Sequence, residues 1–278
     1  MQQEHQQWGA EALWQDLEPL MPGLSIEVLA RVESTNAALI DRVRREERGR
    51  SDGRPYGRRQ HDLHPCLLVA EHQTHGRGRQ GRSWHSTAGA SLTFSLSLPL
   101  ESADWSGLSL VVGAAIAEGL DPSGERLRLK WPNDLWLDDR KLGGILIETV
   151  PAGSQRMAVI GVGLNISDDA RVPDSQLTTG FAALNEFIPG VTPPQALTRL
   201  APTLVTALSA FSTEGFAAWR ERFARRDLLL GRPVTAGTLE GVADGVNERG
   251  ELLVRTPQGI QVVSGGEVSV RLAGPVQE

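Results

Sequence analysis

Gly76, Gly78 and Gly81 alternate with Arg77, Arg79 and Arg82, and the chain behind them reads as strand. By letter, Gly76-x-Gly78-x-x-Gly81 matches the dinucleotide fingerprint, which needs a helix directly after its glycines to hold the pyrophosphate. Here Ser83-Trp-His-Ser86 intervenes, and then Leu92, Phe94, Leu96 and Leu98 alternate with small polar residues. That period of two is strand period, so the Rossmann reading is rejected. What remains is either a solvated basic loop or a glycine loop that lets backbone approach a ligand closely. It carries three forked cations matched to phosphate or carboxylate oxygens. Gln73 and Thr74, just upstream, add neutral hydrogen-bonding groups.

The pattern around this loop alternates between the two regular structures. A short helix is expected within residues 1–22, with Trp8, Leu13, Trp14 and Leu17 on one side. Leu24 to Val32 alternates like a strand, and Ala37 to Arg48 like a helix for which Ser34 or Thr35 is an N-cap. Residues 44–64 mix seven arginines with Gly49, Gly53, Pro55 and Gly57 and read as a long basic loop. Cys66 to Ala70 is an apolar run, and Ser106 to Leu120 a buried helix. Strands are expected at 127–131, 135–137, 141–148 and 158–166, with turns at Pro132-Asn133-Asp134 and Asp138-Asp139-Arg140. Asp134, Lys141 and Asn165 therefore sit at or near strand ends, where a sheet places its chemistry. Residues 167–190 read as loop with a short helix, and 194–211 and 214–226 as two helices. From Pro233 to Arg271 five short apolar-alternating pieces lie between glycine turns, which suggests a small β-barrel. The expected division is a tail with a short helix at 1–23, a main domain at 24–229 and a small domain at 230–278.

Composition removes several function classes. A net charge of −6 argues against general nucleic-acid binding, and the single cysteine, Cys66, excludes intrachain disulfides and cysteine zinc sites. The N-terminal residues lack the apolar core of a signal peptide. No apolar run approaches the roughly 20 residues of a membrane helix, so the cytoplasm is the expected location. Of 28 lysines and arginines, only Lys130 and Lys141 are lysine. In a chain that writes arginine nearly everywhere, these two suggest sites where a compact ammonium is required, the alternative being chance placement.

Several stretches then coincide, in order, with one family pattern. Glu33-Ser-Thr-Asn36, Gly76-Arg-Gly-Arg-Gln-Gly-Arg-Ser-Trp84, Lys130-Trp-Pro-Asn-Asp134, Arg140-Lys-Leu-Gly-Gly-Ile145 and Gly161-Val-Gly-Leu-Asn165 together resemble the biotin–protein ligases. The resemblance spans about 24–271. It implies an α+β fold: a mixed sheet with helices, related to class II aminoacyl-tRNA synthetases, followed by an SH3-like barrel. It implies a two-step reaction, in which biotin and ATP with Mg²⁺ give biotinyl-5′-AMP and pyrophosphate. A lysine of the biotin carboxyl carrier protein of acetyl-CoA carboxylase, or of a related carboxylase, then takes the biotin and releases AMP. Some members carry an N-terminal winged helix and repress transcription. Too little chain precedes residue 24 for such a module, so the single-function type without DNA binding is expected. Members often dimerise, so a homodimer is among the expected assemblies.

Carried over position by position, the resemblance assigns Ser34, Thr35, Asn36 and Gln73 to the ureido ring of biotin. Arg77, Gly78 and Arg79 close over the biotin carboxylate and α-phosphate, and Lys141 bridges the two. Gly76, Arg82, Trp84 and Lys130 join the ATP side, with Trp84 either stacking on ligand or packing in the core. Asn165 is assigned to Mg²⁺ or the phosphates. Asp134 is assigned either to metal placement or to accepting a proton from the incoming amine. Two rivals share parts of the pattern: a lipoate–protein ligase of the same fold, and a nucleic-acid-binding regulator that would use the arginines of 44–64.

Overall fold

A seven-stranded mixed sheet with helices on both faces forms the body of the protein, and a five-stranded antiparallel sheet follows it. The computed structural model describes residues 6–51, 63–100, 104–153, 155–170, 180–265 and 270–272. In chain order, α1 (Ala10–Leu17) leads to β1 (Ser25–Val32), α2 (Thr35–Ser51) and β2 (Cys66–Gln73). The glycine loop contains two very short strands, β3 (Gly76–Arg77) and β4 (Ser83–Trp84), before β5 (Ser91–Pro99) and α3 (Leu108–Leu120). Four antiparallel strands come next: β6 (Leu127–Lys130), β7 (Asp134–Leu137), β8 (Arg140–Ala152) and β9 (Gln155–Asn165). After α4 (Pro193–Glu214) and α5 (Arg220–Ala224), β10 (Pro233–Ala236), β11 (Leu239–Val246), β12 (Leu252–Thr256), β13 (Gly259–Val263) and β14 (Val270–Leu272) build the second sheet.

The first sheet runs β1-β2-β5-β9-β8-β7-β6. Only the β1–β2 pair is parallel. The two faces are covered differently. Leu67, Val69, Phe94, Leu96, Ile160 and Val162 share the main core with α1, α3 and α4. Cys66, Leu68, Met157 and Val159 form a smaller cluster with Leu39, Ile40 and Val43 of α2. This explains the alternation in β5. Its apolar residues face α3 and α4, while Thr93, Ser95 and Ser97 are buried on the other face. Ser95 meets the first turn of α2 through Thr35 and Asn36. The first turn of α2 is thereby set on the sheet, with the Ser34 hydroxyl accepting the Ala37 N–H at 3.4 Å as an N-cap.

Three local expectations need correction. Helix α2, expected over 37–48, runs on to Ser51, so the expected 44–64 loop is helix as far as residue 51. The Arg-Arg-Glu-Glu-Arg run is made of good helix formers and continues from the packed Leu39, Ile40 and Val43; the rest of the expected loop, 52–62, lies outside the described residues. Trp14 leaves the buried side of α1, being 43 % exposed, and its Nε1 instead reaches the Leu24 carbonyl at 2.8 Å. The expected helix at 214–226 is broken: α4 stops at Gly215, and only a 3₁₀ turn, Ala217–Trp219, and the five residues of α5 follow. Residues 6–23 pack onto the sheet body, since Trp8, Leu13, Leu17 and Met21 all belong to the main core. Among the described residues no helix is long and apolar enough to cross a membrane.

The connection to the second sheet contains a carboxyl with one oxygen buried and unpartnered among the described residues. Asp227 follows α5, and the backbone around it bonds to β6 through Leu129 N–H to Arg226 O and Leu228 N–H to Leu129 O. Its Oδ1 accepts the Leu229 N–H at 2.9 Å, and Oδ2 is buried with no partner among the described residues. Burial pushes this carboxyl up to about 6, against the pull of the Leu229 and Leu230 N–H groups. The folded protein therefore holds this proton more tightly than the unfolded chain, and stability falls as pH rises from about 4 to about 6. Asp227→Asn is expected to gain on the wild type by about 2 kcal/mol between pH 4 and pH 7.5. Denaturant titrations of both proteins at the two pH values check this; a constant gap would mean that the carboxyl is not raised.

Candidate active site

A cleft opens on the α2 face of the first sheet, beyond the N-terminus of that helix. Its floor is β9, where two glycines remove side chains that would fill it. A Cβ on Gly161 would stand 2.4 Å from Asn36 Oδ1, and one on Gly163 would stand 2.4 Å from the indole of Trp84. The Gly161-Val-Gly163 spacing thus places both absent side chains on one face of the strand. Trp84 lies in this wall, and its Nε1 is buried with no hydrogen-bond partner among the described residues.

One end of the cleft is neutral and closely bonded. Gln73, at the end of β2, receives the Thr35 N–H at 2.7 Å and the Thr35 hydroxyl at 3.1 Å on Oε1. The Ser95 hydroxyl lies 2.6 Å from both Thr35 Oγ1 and Asn36 Oδ1. Asn36 Nδ2 donates to Glu148 Oε2 at 2.8 Å and to the Leu146 carbonyl at 3.3 Å. Arg77 Nη2 donates to the same Glu148 oxygen at 3.0 Å. One chain of hydrogen bonds therefore runs from β2 through the first turn of α2 to the glycine loop.

The other end is cationic. Lys141 Nζ donates to Asp134 Oδ1 at 2.8 Å, between the starts of β8 and β7. Arg79 Nη1 donates to Asn133 Oδ1 at 3.0 Å, and its Nη2 to the carbonyl of Gly265, which follows β13 of the second sheet. Lys130, at the end of β6, donates to the Val270 carbonyl at 2.6 Å and stands 5.4 Å from the Trp136 ring centroid. Burial pushes its ammonium below the usual lysine value, with the Asp134 charge opposing. Trp131 Nε1 reaches the Gly250 carbonyl at 2.9 Å. The second sheet thus borders the cleft and holds two of its cations by backbone carbonyls.

The glycine loop is a defined turn. Gly76 pairs with Trp84 and Arg77 with Ser83, and Gly78 N–H bonds to Arg82 O at 2.7 Å. Gln80 takes φ 56°, an unusual value for a residue with a side chain.

Ser34, Thr35, Asn36, Gln73, Arg77, Gly78, Arg79, Arg82, Trp84, Lys130, Asp134 and Lys141 all line the cleft. Two residues picked out by sequence do not. Gly76 stands in the adjoining ladder, where a Cβ would lie 2.4 Å from the Trp84 carbonyl oxygen. Asn165 is buried at the end of β9 and donates to the Ala182 carbonyl at 3.1 Å. Ser95, Asn133 and Glu148 complete the site and were not expected from sequence. Only Asn133 carried a signal there, as the neighbour of Asp134 in a marked motif.

Among the described residues no group of three or more histidine, cysteine or acidic side chains could hold a metal. A magnesium ion commonly takes one or two carboxylates together with substrate phosphates. Asp134, beside Lys141, fits that limited part.

Residues 58–165 match the biotin/lipoate A/B protein ligase family, and residues 229–271 match the biotin protein ligase C terminal domain. The bifunctional ligase/repressor BirA of Escherichia coli (strain K12) is 36 % identical over 261 residues, covering 91 % of this chain and 76 % of BirA. The biotin–acetyl-CoA-carboxylase ligase of Paracoccus denitrificans is 34 % identical over 215 residues, covering 72 % of this chain and 88 % of its own length. Among solved structures, the biotin protein ligase from Aquifex aeolicus in complex with biotin and ATP superposes with a TM-score of 0.72 at 27 % identity, covering 90 % of this chain and 99 % of that one. With relatives 34–36 % identical and matched over most of their length, the chain belongs to the biotin protein ligase family.

Proposed function

We propose that this chain activates biotin with ATP to biotinyl-5′-AMP and pyrophosphate, and then transfers biotin to a lysine of a biotin carboxyl carrier protein. The observation that carries the reading is the polarity of one cleft. A neutral donor–acceptor end, Thr35, Asn36 and Gln73, with Arg77 beside it on Glu148, stands opposite a cationic end, Arg79, Lys130 and Lys141. A ureido ring needs both donors and acceptors, and two anions brought together need fixed positive charge.

The roles follow from position. Ser34, Thr35, Asn36 and Gln73 receive the ureido ring. Arg77 and Arg79, with Gly78 between them, exchange their present partners for the biotin carboxylate and α-phosphate. Lys141 neutralises charge as the carboxylate attacks phosphorus and pyrophosphate leaves. Lys130 and Arg82 serve the phosphates, and Trp84 supplies an apolar wall. Magnesium, carried in with ATP, would be held by Asp134 and would offset phosphate charge. Gly76 and Asn165 act at one remove, by closing the β3–β4 ladder and by holding the Ala182 backbone. The carrier of acetyl-CoA carboxylase is the proposed acceptor. DNA binding is not proposed, and the net charge of −6 stands against it.

The test is adenylate formation from α-labelled ATP and Mg²⁺ with biotin or with lipoate, without carrier. Biotin-dependent adenylate and pyrophosphate are expected. Adenylate with lipoate alone would move the substrate to the other branch of the family. A further expectation concerns retention. Arg79 bridges Asn133 and the second sheet, so Arg79→Gly should let the adenylate escape and label bystander proteins. Labelling confined to the carrier in that variant would remove the role.

A further inference from the structure

We propose that Glu148 is a positioning residue for biotin recognition, fixing which way the Asn36 amide faces the cleft. The inference rests on the cleft being the biotin site and adds a residue outside the stretches that carry the resemblance. Glu148 lies on β8, seven residues beyond Lys141 and 112 residues from Asn36 in sequence. Its Oε2 accepts from Asn36 Nδ2 at 2.8 Å, and the Leu146 carbonyl accepts from the same nitrogen at 3.3 Å. Both neighbours are acceptors only. A flipped amide would set Asn36 Oδ1 against a carboxylate and a carbonyl, so the nitrogen must face them. Asn36 Oδ1 is then turned to Ser95 Oγ, 2.6 Å away, and to the space above Gly161. A carbonyl oxygen has two lone pairs. The second is left for a ligand N–H, which a ureido ring offers.

The same carboxylate oxygen receives Arg77 Nη2 at 3.0 Å. That ion pair is half-exposed, 46 % on arginine and 28 % on glutamate, and such pairs contribute little. Arg77 can therefore leave for an anionic ligand while Glu148 keeps the amide in place. Asn36 itself is 3 % exposed. Without Glu148, one of its N–H groups would be buried and unpaired, and only the Leu146 carbonyl at 3.3 Å would still hold the nitrogen on that side.

The test is biotin-dependent ATP–pyrophosphate exchange, which separates KM for biotin from kcat. Glu148→Ala is expected to raise KM for biotin roughly tenfold, the cost of one orphaned buried donor, with kcat within about threefold. Glu148→Gln still offers Asn36 an oxygen and should return KM to within about threefold of wild type. In an Asn36→Ala background, Glu148→Ala should add less than about twofold, because coupled residues are not additive. An alanine variant with wild-type KM, a glutamine variant no better than alanine, or full additivity with Asn36→Ala would each overturn the proposal. Exchange absent from the wild type itself would overturn the biotin reading instead.

Discussion

Lys141→Ala is expected to slow biotinyl-adenylate formation by roughly 10²–10³-fold, the usual cost of removing one preorganised electrostatic contact to a developing charge. The lysine stands at the second position of β8, its Nζ on Asp134 Oδ1 at 2.8 Å. Its backbone is held independently of the side chain: Lys141 O accepts the Ala182 N–H at 2.9 Å, and the residue pairs with Trp136 of β7. The substitution should therefore leave the fold intact. The Lys141–Asp134 pair is partly exposed, so its loss should cost no more than about 1 kcal/mol of stability. Lys141→Arg should not rescue the rate, because a planar fork cannot replace a compact ammonium between two oxyanions. Single-turnover pyrophosphate release with biotin and ATP measures the effect. A loss of only a few-fold would remove Lys141 from the chemistry. A normal first step with failed transfer from preformed adenylate would move it to the second.

The residues that could be read from sequence are those whose signal is local. The glycine–arginine loop, Ser34-Thr35-Asn36 and Lys130 to Asp134 are compact strings, and the structure gathers their polar members in one cleft. The strands were legible because β5 alternates apolar and small polar residues, even though α2 buries the polar side as well. Motif membership does not separate residues that line the cleft from those that serve the backbone. Gly76 allows the Trp84 carbonyl to approach, and Asn165 holds Ala182. Glu148 was illegible for the opposite reason. Its partners Arg77 and Asn36 lie 71 and 112 residues away, and nothing around it in sequence distinguishes it from a solvated strand residue. Helix ends failed where charge composition and chain breaks pull against each other. Arg44, Arg45 and Arg48 fall in both the helix expected to Arg48 and the loop expected from residue 44, and the packed helix prevails to Ser51, whereas Gly215 ends α4 within a stretch that reads as helical.

Asp121→Ala is expected to destabilise the fold by about 3–5 kcal/mol, the usual result of leaving one member of a buried ion pair alone. Asp121 is fully buried at the C-terminal end of α3, and Arg226, just past α5, is 5 % exposed. The carboxylate accepts the Gly124, Arg126 and Leu127 N–H groups at 3.1, 3.0 and 2.9 Å, and the Ser123 hydroxyl at 2.8 Å. Arg226 Nη1 approaches Oδ2 at 3.4 Å and also donates to the Leu127 carbonyl at 3.3 Å. One side chain thus ties together α3, the start of β6 and the connection into the second sheet, and β6 leads directly to Lys130. Burial alone would raise this carboxyl, but the Leu127 and Arg126 N–H groups, Ser123 and Arg226 outweigh it and hold it down to about 2. Its folded value lies below its unfolded one, so its contribution is present above about pH 4 and is lost as pH falls toward 2. Denaturant titration at pH 7 measures the alanine loss, and a loss below about 1 kcal/mol would show the pair to be dispensable. The double variant Asp121→Ala with Arg226→Leu should recover part of the loss. It removes the uncompensated charge but not the orphaned N–H groups, so the remainder isolates the share carried by the backbone hydrogen bonds.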